Sequence, residues 1–596
     1  MLYLRRIWLS FVLIGIVVLV SACSQSTTSA TTKSQTTADQ ATSINTTTPI
    51  KHVIVIIGEN HTFDNIFATY RPVTGQTIFN LLSEGIVTDS GGLGPKVALA
   101  AQQQATNTDT YSIDPHKIGP YKTLPQPNTT YAVGLPQNKP DDRFPHNLPN
   151  GPYQITKYIP YQNSYSGDPI HRFYQMWQQI DEGKNDLFTW VHQTAGDDNG
   201  EIPAGPIYQG ALEMGYYNMS QGDAPDFKFI GDNYAISDNY HQSIVGGTGA
   251  NHIALGTGDV AYYTNDQGQP AVPPRNQIEN PNPKPGSNNN YKQDGYSGGS
   301  YTECADMSQP GVAPIMSYLH SLPYQPFRGG DCAPGAYYLL NNYLPGYTPS
   351  GQPTTSTPFT VPPQTMPTIA DALSAHHISW KYYGQGYNNG NATKEFCGIC
   401  DPFQYARSIM TTDLKKNIQD FQQFQVDVNH NTLPAVSFIK PDEDNDGHPA
   451  SSSLSKFENF ATSITNSVIS KPALFKDTAI MITMDEGGGY YDSGYVQPLS
   501  YFGDGPRIPM MVVSPYVKHG FVDHTYNDHF SILKFIEKNW SLPPLSSRSF
   551  DNLPDPTAST SNAYMPTNGP AIGDLMQFFD FSHARTDTPQ LPTSTH

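Results

Sequence analysis

The sequence predicts an α/β fold, a three-layered α/β/α sandwich built around a mostly parallel sheet. Short apolar runs rich in β-branched and aromatic residues recur along the chain with polar residues between them, which is typical of buried strands. Segments with helical periodicity lie between these runs, and alternating strands and helices favour a parallel sheet with helices on its faces. The predicted strands are HVIVIIG (52–58), ISWKYYG (378–384), LPAVSFIKP (433–441), TAIMITMDE (478–486) and IPMMVVSPY (508–516).

The first predicted strand ends directly in polar residues. Residues 53–57 are all apolar and β-branched, Gly58 ends the run, and Glu59 and Asn60 follow at once. In open α/β sheets, ligands bind at the carboxyl ends of the strands. We therefore expect this carboxylate and this amide at a ligand site.

Two helices are predicted from periodicity. The stretch LSKFENFATSITNSVI (454–469) carries its apolar residues at steps of three and four, which gives one apolar face. The stretch FSILKFIEKNW (530–540) has the same character. Both helices are expected to cover the sheet.

The middle of the chain has a different composition. Much of residues 265–370 is too rich in Pro, Gly and Asn for regular structure, and such a long irregular loop is unusual inside a compact domain. We therefore predict a catalytic domain formed by residues 50–262 and 366–582. An inserted, loop-rich lobe of residues 263–365 interrupts it, and residues 583–596 form a tail.

The N-terminus predicts export. Arg5 and Arg6 precede an apolar stretch, residues 7–20, that is shorter than the ~20 residues of a membrane span. Small residues then lead into Cys23, which resembles a bacterial lipobox in which this cysteine is lipidated; an ordinary signal peptide is the alternative. Residues 24–49 are rich in Ser, Thr, Gln and Ala and are expected to form a disordered tether. We therefore expect a protein anchored by lipid at the outer face of a bacterial membrane or cell envelope.

Composition agrees with an exported protein. Acidic residues outnumber basic ones, 52 to 33, and the formal net charge is −19. Charged residues make up 14% of the chain, against ~25% in average globular domains. A basic footprint of the kind that holds DNA or RNA is absent, so no nucleic-acid partner is expected. The oligomeric state is left open.

Four cysteines remain besides Cys23. In an exported protein an even remainder indicates disulfides, and we favour the pairs Cys304–Cys332 and Cys397–Cys400 among the three possible connectivities. The alternative is a zinc site of four thiolates, which the long gap between Cys332 and Cys397 disfavours.

Further polar motifs follow the later strands. Asp485 and Glu486 end the fourth predicted strand, and His448 follows the third after a short loop. Carboxylate and amide oxygens are the ligands that hard divalent cations prefer, so these strand ends predict a metal site. Thr248 lies among small residues at a turn near the start of a predicted helix, where backbone N–H groups favour an anion. A hydroxyl there becomes a nucleophile when its pKa is lowered.

Five ordered motifs carry a family resemblance: GENHTFDNIF, GGTGANHI, KPDEDNDGHP, MDEGGGYYD and the segment from GPRIP to LKFIE. Together they resemble the bacterial phosphoesterase family of secreted acid phosphatases and phospholipases C, within the alkaline-phosphatase-like superfamily. The resemblance covers roughly residues 50–262 and 366–582.

The resemblance implies one divalent metal ion and a set of site residues. Calcium, magnesium and manganese remain open as its identity. The implied metal ligands are Glu59, Asn60, Thr248, Asp485 and Glu486. Thr248 is the implied nucleophile, and His448 and His171 are the implied phosphate contacts.

The implied reaction is hydrolysis of a phosphate ester through a phosphothreonine intermediate. We place phosphomonoesters first, as in acid phosphatases, because the extra C-terminal domains of larger family phospholipases C are not seen. The Asp485–Glu486 pair, in contrast, has the form found in phospholipase-like members, so phospholipase C action on lipid phosphodiesters is the alternative. A surface lipoprotein that binds without cleaving is a second alternative.

Several polar residues stay ambiguous at this stage. His524 and His529 resemble metal ligands elsewhere in the superfamily, but equally suit helix capping and packing; together with Asn251 they are possible additional site residues. His252 is more typical of a helix-start or packing residue. The stretch DEDNDG (442–447) matches half of a calcium loop but has Ser453 where a bidentate Glu belongs, so we interpret it as an acidic active-site loop.

Overall fold

The computed structural model describes residues 45–592, except 131, 133, 164–166, 196–209, 292–297, 328–331, 355–357 and 560–561. The predicted signal segment and the lipidation site Cys23 lie outside the described residues, as do most of the tether and the last four residues of the tail. Within the described part of the chain, no helix has both the length and the hydropathy of a bilayer span.

An eight-stranded sheet organises the fold. Its strands are β1 (His52–Gly58), β2 (Ala235–Ser237), β3 (Trp380–Gly384), β4 (Ile418–Asp420), β5 (Val436–Lys440), β6 (Thr478–Met484), β7 (Met510–Val513) and β8 (Phe521–Asp523). They lie in the order β4-β3-β5-β1-β6-β7-β2-β8. Only β7 runs antiparallel to its neighbours; the other pairings are parallel. The predicted mostly parallel sheet is thus confirmed.

All five predicted strands are present, and three further strands were not predicted. The additional strands β2, β4 and β8 have only three residues each and lie toward the two edges of the sheet. A three-residue strand is too short to show the alternation or the apolar run by which strands are recognised.

The described residues contain twelve α-helices. They are α1 (Phe63–Phe67), α2 (Phe173–Ile180), α3 (Phe188–Thr194), α4 (Pro225–Asn233), α5 (Thr248–Thr257), α6 (Val312–Ser321), α7 (Ile369–Ala375), α8 (Arg407–Met410), α9 (Phe421–His430), α10 (Leu454–Ile469), α11 (Pro472–Phe475) and α12 (His529–Trp540). The two helices predicted from periodicity are α10 and α12, and the helix predicted to begin near Thr248 is α5. Helix α12 begins one residue earlier than expected because the Asp528 side chain caps it.

Helices cover both faces of the sheet centre. Every residue of β1, β5 and β6 is buried, which requires cover on the two faces to which successive side chains point. Helix α10 packs against α4, and α5 packs against α12. Each apolar side chain buried in β1 contributes about 1.5–3 kcal/mol, so the strand that carries Glu59 and Asn60 is firmly anchored.

Short strand pairs decorate the sheet and helices. They are Gln103–Thr106 with His116–Pro120, Tyr153–Gln154 with Gly215–Tyr216, Tyr240–His241 with Asn527–Asp528, Tyr301–Thr302 with Tyr338–Leu339, and Leu344–Pro345 with Thr360–Val361. The last two pairs and α6 lie within residues 263–365. That these residues form a separate lobe stays a prediction.

Both predicted disulfides are present. Cys304 bonds to Cys332 and Cys397 bonds to Cys400. Because the four sulfur atoms are paired in this way, they do not form the alternative zinc site of four thiolates.

Candidate active site

The two acidic motifs meet because their strands are in register. Gly58, the last residue of β1, pairs with Met484, the last residue of β6. The residues that follow therefore leave the sheet side by side: the Asp485 amide donates to the Gly58 carbonyl at 3.0 Å, and the Asn60 amide donates to Asp485 Oδ1 at 3.3 Å. The side chains of Glu59 and Glu486 are also buried here.

Thr248 reaches these carboxylates from the first position of α5. Its Oγ1 donates to Glu486 Oε1 at 3.0 Å and lies 3.5 Å from Glu59 Oε2. The preceding turn needs glycine, since a Cβ on Gly247 would lie 2.6 Å from Asn342 Oδ1. That same oxygen accepts the Gly249 amide at 2.7 Å, so the first turn of the helix is fixed against Asn342.

Two histidines lie next to this cluster. The Ala450 amide donates to His448 Nδ1 at 3.2 Å, so the proton of the neutral ring is on Nε2. His171 Nδ1 donates to the Pro169 carbonyl at 2.6 Å, and its Nε2 lies 4.0 Å from Glu486 Oε1. Both rings line a cavity of about 230 Å³ together with Glu59 and Thr248.

The carboxylates repel one another in this buried setting. Burial raises the pKa of Asp485 well above its usual range, and the charge of Glu59 adds to the effect. Burial likewise raises the pKa of Glu486, with Asp485 and Glu59 as further causes. Burial would also raise the pKa of Glu59, but the adjacent Lys440 and His252 outweigh it and hold that pKa well below its ordinary value. So much negative charge in one place calls for a cation.

The donor atoms fit a hard divalent cation. Asp485 Oδ2 and Glu486 Oε2 are buried without a hydrogen-bond partner among the described residues. The Asn60 carboxamide can also adopt two orientations. With its nitrogen toward Glu59 Oε2 and Asp485 Oδ1 it makes hydrogen bonds of 3.2 and 3.3 Å, and its oxygen accepts from His448 Nε2 at 2.8 Å. Turned the other way, its oxygen joins the two carboxylate oxygens, an arrangement that a bound cation stabilises.

Two residues beside Glu59, Lys440 and His252, were not assigned to the site from the sequence. Lys440 is fully buried, with Nζ 3.1 Å from Glu59 Oε1 and 3.0 Å from Asp446 Oδ2. His252 Nε2 lies 3.6 Å from the same Glu59 oxygen. Lys440 is the last residue of β5, so the rule that polar residues at strand ends carry function would have found it.

The Cys397–Cys400 disulfide also borders the cavity. Cys397 and Ile399 line it, and Cys400 Sγ lies 3.3 Å from Glu59 Oε1. In the sequence, 341 positions separate Glu59 from Cys400. No local pattern predicts this contact.

The remaining candidates lie outside the cavity lining. His529 donates from Nε2 to the Asp485 carbonyl at 2.6 Å and accepts the Tyr240 hydroxyl at Nδ1; burial lowers the pKa of this histidine to about 4, so it is neutral. The Asn251 side chain accepts the Ile244 amide at 2.9 Å and shapes the turn before Thr248. Both residues hold backbone segments that carry site residues, and neither lines the cavity.

His524 is in a different place. Its Nδ1 lies 2.7 Å from Asp238 Oδ1 and its Nε2 lies 3.0 Å from Thr77 Oγ1. These contacts border a separate surface pocket of about 420 Å³. The structure does not bring His524 together with Thr248.

Comparison with known proteins gives a consistent result. The model of the family described as Phosphoesterase family matches residues 50–543. A phosphate-repressible acid phosphatase of Penicillium chrysogenum is 28% identical over 193 residues, which are 31% of this chain and 44% of the relative. A non-hemolytic phospholipase C of Burkholderia pseudomallei is 23% identical over 585 residues, 92% of this chain and 62% of the relative. Phospholipase C A of Mycobacterium tuberculosis is 22% identical over 569 residues, 90% of this chain and 78% of the relative. The alignments with the first two relatives thus span less than two thirds of their length.

Proposed function

The chain belongs to the phosphoesterase family, and on this premise we propose that its site hydrolyses phosphate esters with Thr248 as the nucleophile. The observation that carries the proposal is the position of the Thr248 hydroxyl. It lies within 3.0 Å of Glu486 Oε1 and 3.5 Å of Glu59 Oε2, on the wall of a cavity that also contains two histidines. We also propose that the mostly parallel sheet with helices on its faces is an alkaline-phosphatase-like α/β/α sandwich.

The proposed metal ligands are the oxygen donors that meet at the strand ends: Glu59, Asn60, Thr248, Asp485 and Glu486. A divalent cation bound there would supply positive charge that favours the Thr248 alkoxide and the phosphoryl oxygens. The unpartnered carboxylate oxygens of Asp485 and Glu486 support this assignment. Calcium, magnesium and manganese all suit such ligands.

The first half of the reaction uses three side chains of this chain. Glu486 Oε1 accepts the hydrogen bond of the Thr248 hydroxyl and takes its proton as Oγ1 attacks phosphorus. The new bond is Thr248 Oγ1–P, and the bond that breaks joins phosphorus to the alcohol. His448 Nε2 donates a hydrogen bond to the departing alcohol oxygen, which takes its proton from a water molecule and leaves hydroxide. Positioned acid–base groups of this kind contribute about 10²–10⁴-fold to rate.

The second half reverses these roles. That hydroxide attacks the phosphothreonine, and His448 Nε2 donates a hydrogen bond to it. The P–O bond to Thr248 breaks, and Oγ1 regains its proton from Glu486. Phosphate leaves and both side chains return to their starting states. The N-terminus of α5 faces the phosphoryl group throughout, and its dipole favours an anion there.

The cavity supports phosphomonoesters as the first substrate class. Its volume of about 230 Å³ is smaller than the ~300–1,000 Å³ of pockets that enclose drug-sized ligands. Four carboxylates, two histidines and Asn342 provide most of its lining, which with a bound cation suits a phosphate group more than acyl chains. Phospholipase C action is the second candidate, because relatives named phospholipase C align with 90% or more of this chain.

We further propose that the protein is exported and anchored through a lipidated Cys23. Support comes from the apolar leader and the lipobox-like sequence before this cysteine, and from the two disulfides, which persist in oxidising compartments.

One panel of assays tests the proposed function. The purified protein is offered p-nitrophenyl phosphate, bis-p-nitrophenyl phosphate and phosphatidylcholine, each with and without chelator. We expect the protein to hydrolyse the monoester and to lose this activity in chelator. Cleavage of phosphatidylcholine instead would establish phospholipase C action, the second candidate. Thr248→Ala should abolish turnover and leave metal content near normal, whereas an active Ala variant would refute the role of Thr248.

A matched control lies on the same helix. Thr257 is also a buried threonine of α5, and its hydroxyl donates to the Ile253 carbonyl at 2.8 Å. Thr257→Ala removes the same atoms from the other end of the helix. It should keep activity within about twofold.

A further inference from the structure

The wall of the proposed catalytic cavity contains a disulfide that the proposed hydrolysis does not use. Cys397 and Cys400 form a disulfide whose Cα atoms are 5.4 Å apart. Cys397 lines the cavity, so small molecules that reach Thr248 also reach this disulfide. The second disulfide, Cys304–Cys332, has no atom among the residues that line this cavity.

The sulfur atoms face a carboxylate that already belongs to the site. Cys400 Sγ lies 3.3 Å from Glu59 Oε1, and the ligand atoms of Glu59, Cys397 and Cys400 all lie within 4.8 Å of one another. For a tetrahedral zinc ion with Zn–S of about 2.3 Å and Zn–O of about 2.1 Å, a sulfur and an oxygen ligand are roughly 3.6 Å apart. The observed separation is close to this value.

The sequence spacing points the same way. Two cysteines separated by two residues provide half of the ligands in many structural zinc sites, and thiolates prefer zinc and cadmium to calcium or magnesium. Burial of Cys400 and the surrounding carboxylates would further favour a cation at this position. Lys440 also contacts Glu59 Oε1. When a cation replaces the Lys440 ammonium at this oxygen, the ammonium keeps its second partner, Asp446, at 3.0 Å.

We propose that reduction of Cys397–Cys400 creates a binding site for a thiophilic divalent cation, with Cys397, Cys400 and Glu59 as ligands. A dithiol or phosphine reductant gives two electrons, and the disulfide takes them with two protons to become two thiols. The cation then displaces both thiol protons and binds between the sulfur atoms and Glu59 Oε1. A cation there draws Glu59 away from Thr248, so the reduced, loaded protein is inhibited.

The test uses the full chain and cadmium as the probe. Protein is reduced with a phosphine, freed of reductant, and titrated with cadmium; bound metal is counted by mass spectrometry and the thiolate-to-cadmium charge-transfer absorption is recorded. We expect one additional cadmium with this absorption in the reduced chain and none in the oxidised chain. Equal binding by both forms would overturn the proposal.

Variants locate the site. Cys397→Ser/Cys400→Ser should lose the additional cadmium, and Cys304→Ser/Cys332→Ser, the matched control, should keep it. Glu59→Gln should weaken cadmium binding at least tenfold while the absorption persists; unchanged affinity would remove Glu59 from the ligands. These readouts do not depend on hydrolysis, so the proposed function and this site can fail separately.

Discussion

Replacing Lys440 by methionine is the most informative single perturbation of this site. The ammonium is 2% exposed and contacts two carboxylates, Glu59 at 3.1 Å and Asp446 at 3.0 Å. At an effective dielectric constant of about 20, each contact attracts by roughly 5 kcal/mol. Desolvation of the three charges offsets much of this attraction. Removing one partner of such a buried pair nevertheless costs about 3–5 kcal/mol, because the other charges stay buried and uncompensated.

The expected result depends on metal. In chelator, Lys440→Met should lower the apparent Tm by roughly 3–5 °C in calorimetric scans at one fixed rate, because a chain of this length unfolds with a large entropy change. With calcium, magnesium or manganese at saturation the gap to wild type should narrow, because a cation on Glu59 replaces part of the lost positive charge. The variant should for the same reason bind the cation more tightly than wild type does.

An exposed ion pair provides the control. Lys228 contacts Asp232 one turn along α4, and the two side chains are 40% and 32% exposed. Such pairs contribute about 0.3–0.5 kcal/mol, so Lys228→Met should shift Tm by less than about 1 °C. If Lys440→Met lowered Tm no more than this control in chelator, or if metal left its Tm deficit unchanged, the buried ammonium would not stabilise the charge of Glu59.

Three further outcomes are expected. Gly247→Ala places a Cβ 2.6 Å from Asn342 Oδ1; we expect kcat to fall at least tenfold and stability to fall by about 1–3 kcal/mol, and unaltered kinetics would show that the turn yields freely. Burial, with the nearby Asp551 carboxyl, raises the pKa of Glu537 to about 10 from 4.5. The folded chain therefore keeps Glu537 protonated. The stability that this carboxyl group contributes is complete below pH 4.5 and declines as the pH rises toward 10. The free energy of unfolding of Glu537→Gln should rise relative to that of wild type by about 1.4 kcal/mol per pH unit between pH 6 and 8. Plots of stability against pH that run parallel for the two proteins would contradict this. His524→Ala should keep kcat/KM within about twofold, because this ring lies outside the cavity that contains Thr248; a tenfold loss would place it in the proposed mechanism.

The sequence predicted those parts of the fold that have a local signature. The apolar run of β1 and the helical periodicity of α10 each extend over enough residues to show a repeat, and both are present as expected. The three-residue strands β2, β4 and β8 carry no such repeat. The direction of β7 is equally invisible in its residues, because an apolar run does not reveal which way the strand crosses the sheet.

The candidate site was predictable where polar residues directly follow strands. Glu59 and Asp485 were found in this way, since adjacent parallel strands place their carboxyl ends side by side. Lys440 followed the same rule and was overlooked because it ends an apolar run as a single charge. Cys400 could not have been found, because its contact with Glu59 depends on how a distant loop packs. Asn342 likewise reaches the turn around Thr248, where it accepts the Gly249 amide, from a segment whose composition indicated only irregular structure.

The reversed direction of β7 has a consequence for how this scaffold can diversify. Thr483 on β6 pairs with Met510 at the start of β7. Residues 485–509 therefore leave the sheet and return to it at the same end of the strands, the end that Glu59 follows and that Thr248 approaches. An excursion with neighbouring ends can be lengthened, shortened or exchanged without rerouting the rest of the chain. Loop grafting between relatives at these two points would therefore be a direct way to exchange the segment that follows the acidic pair while the pair itself stays in place.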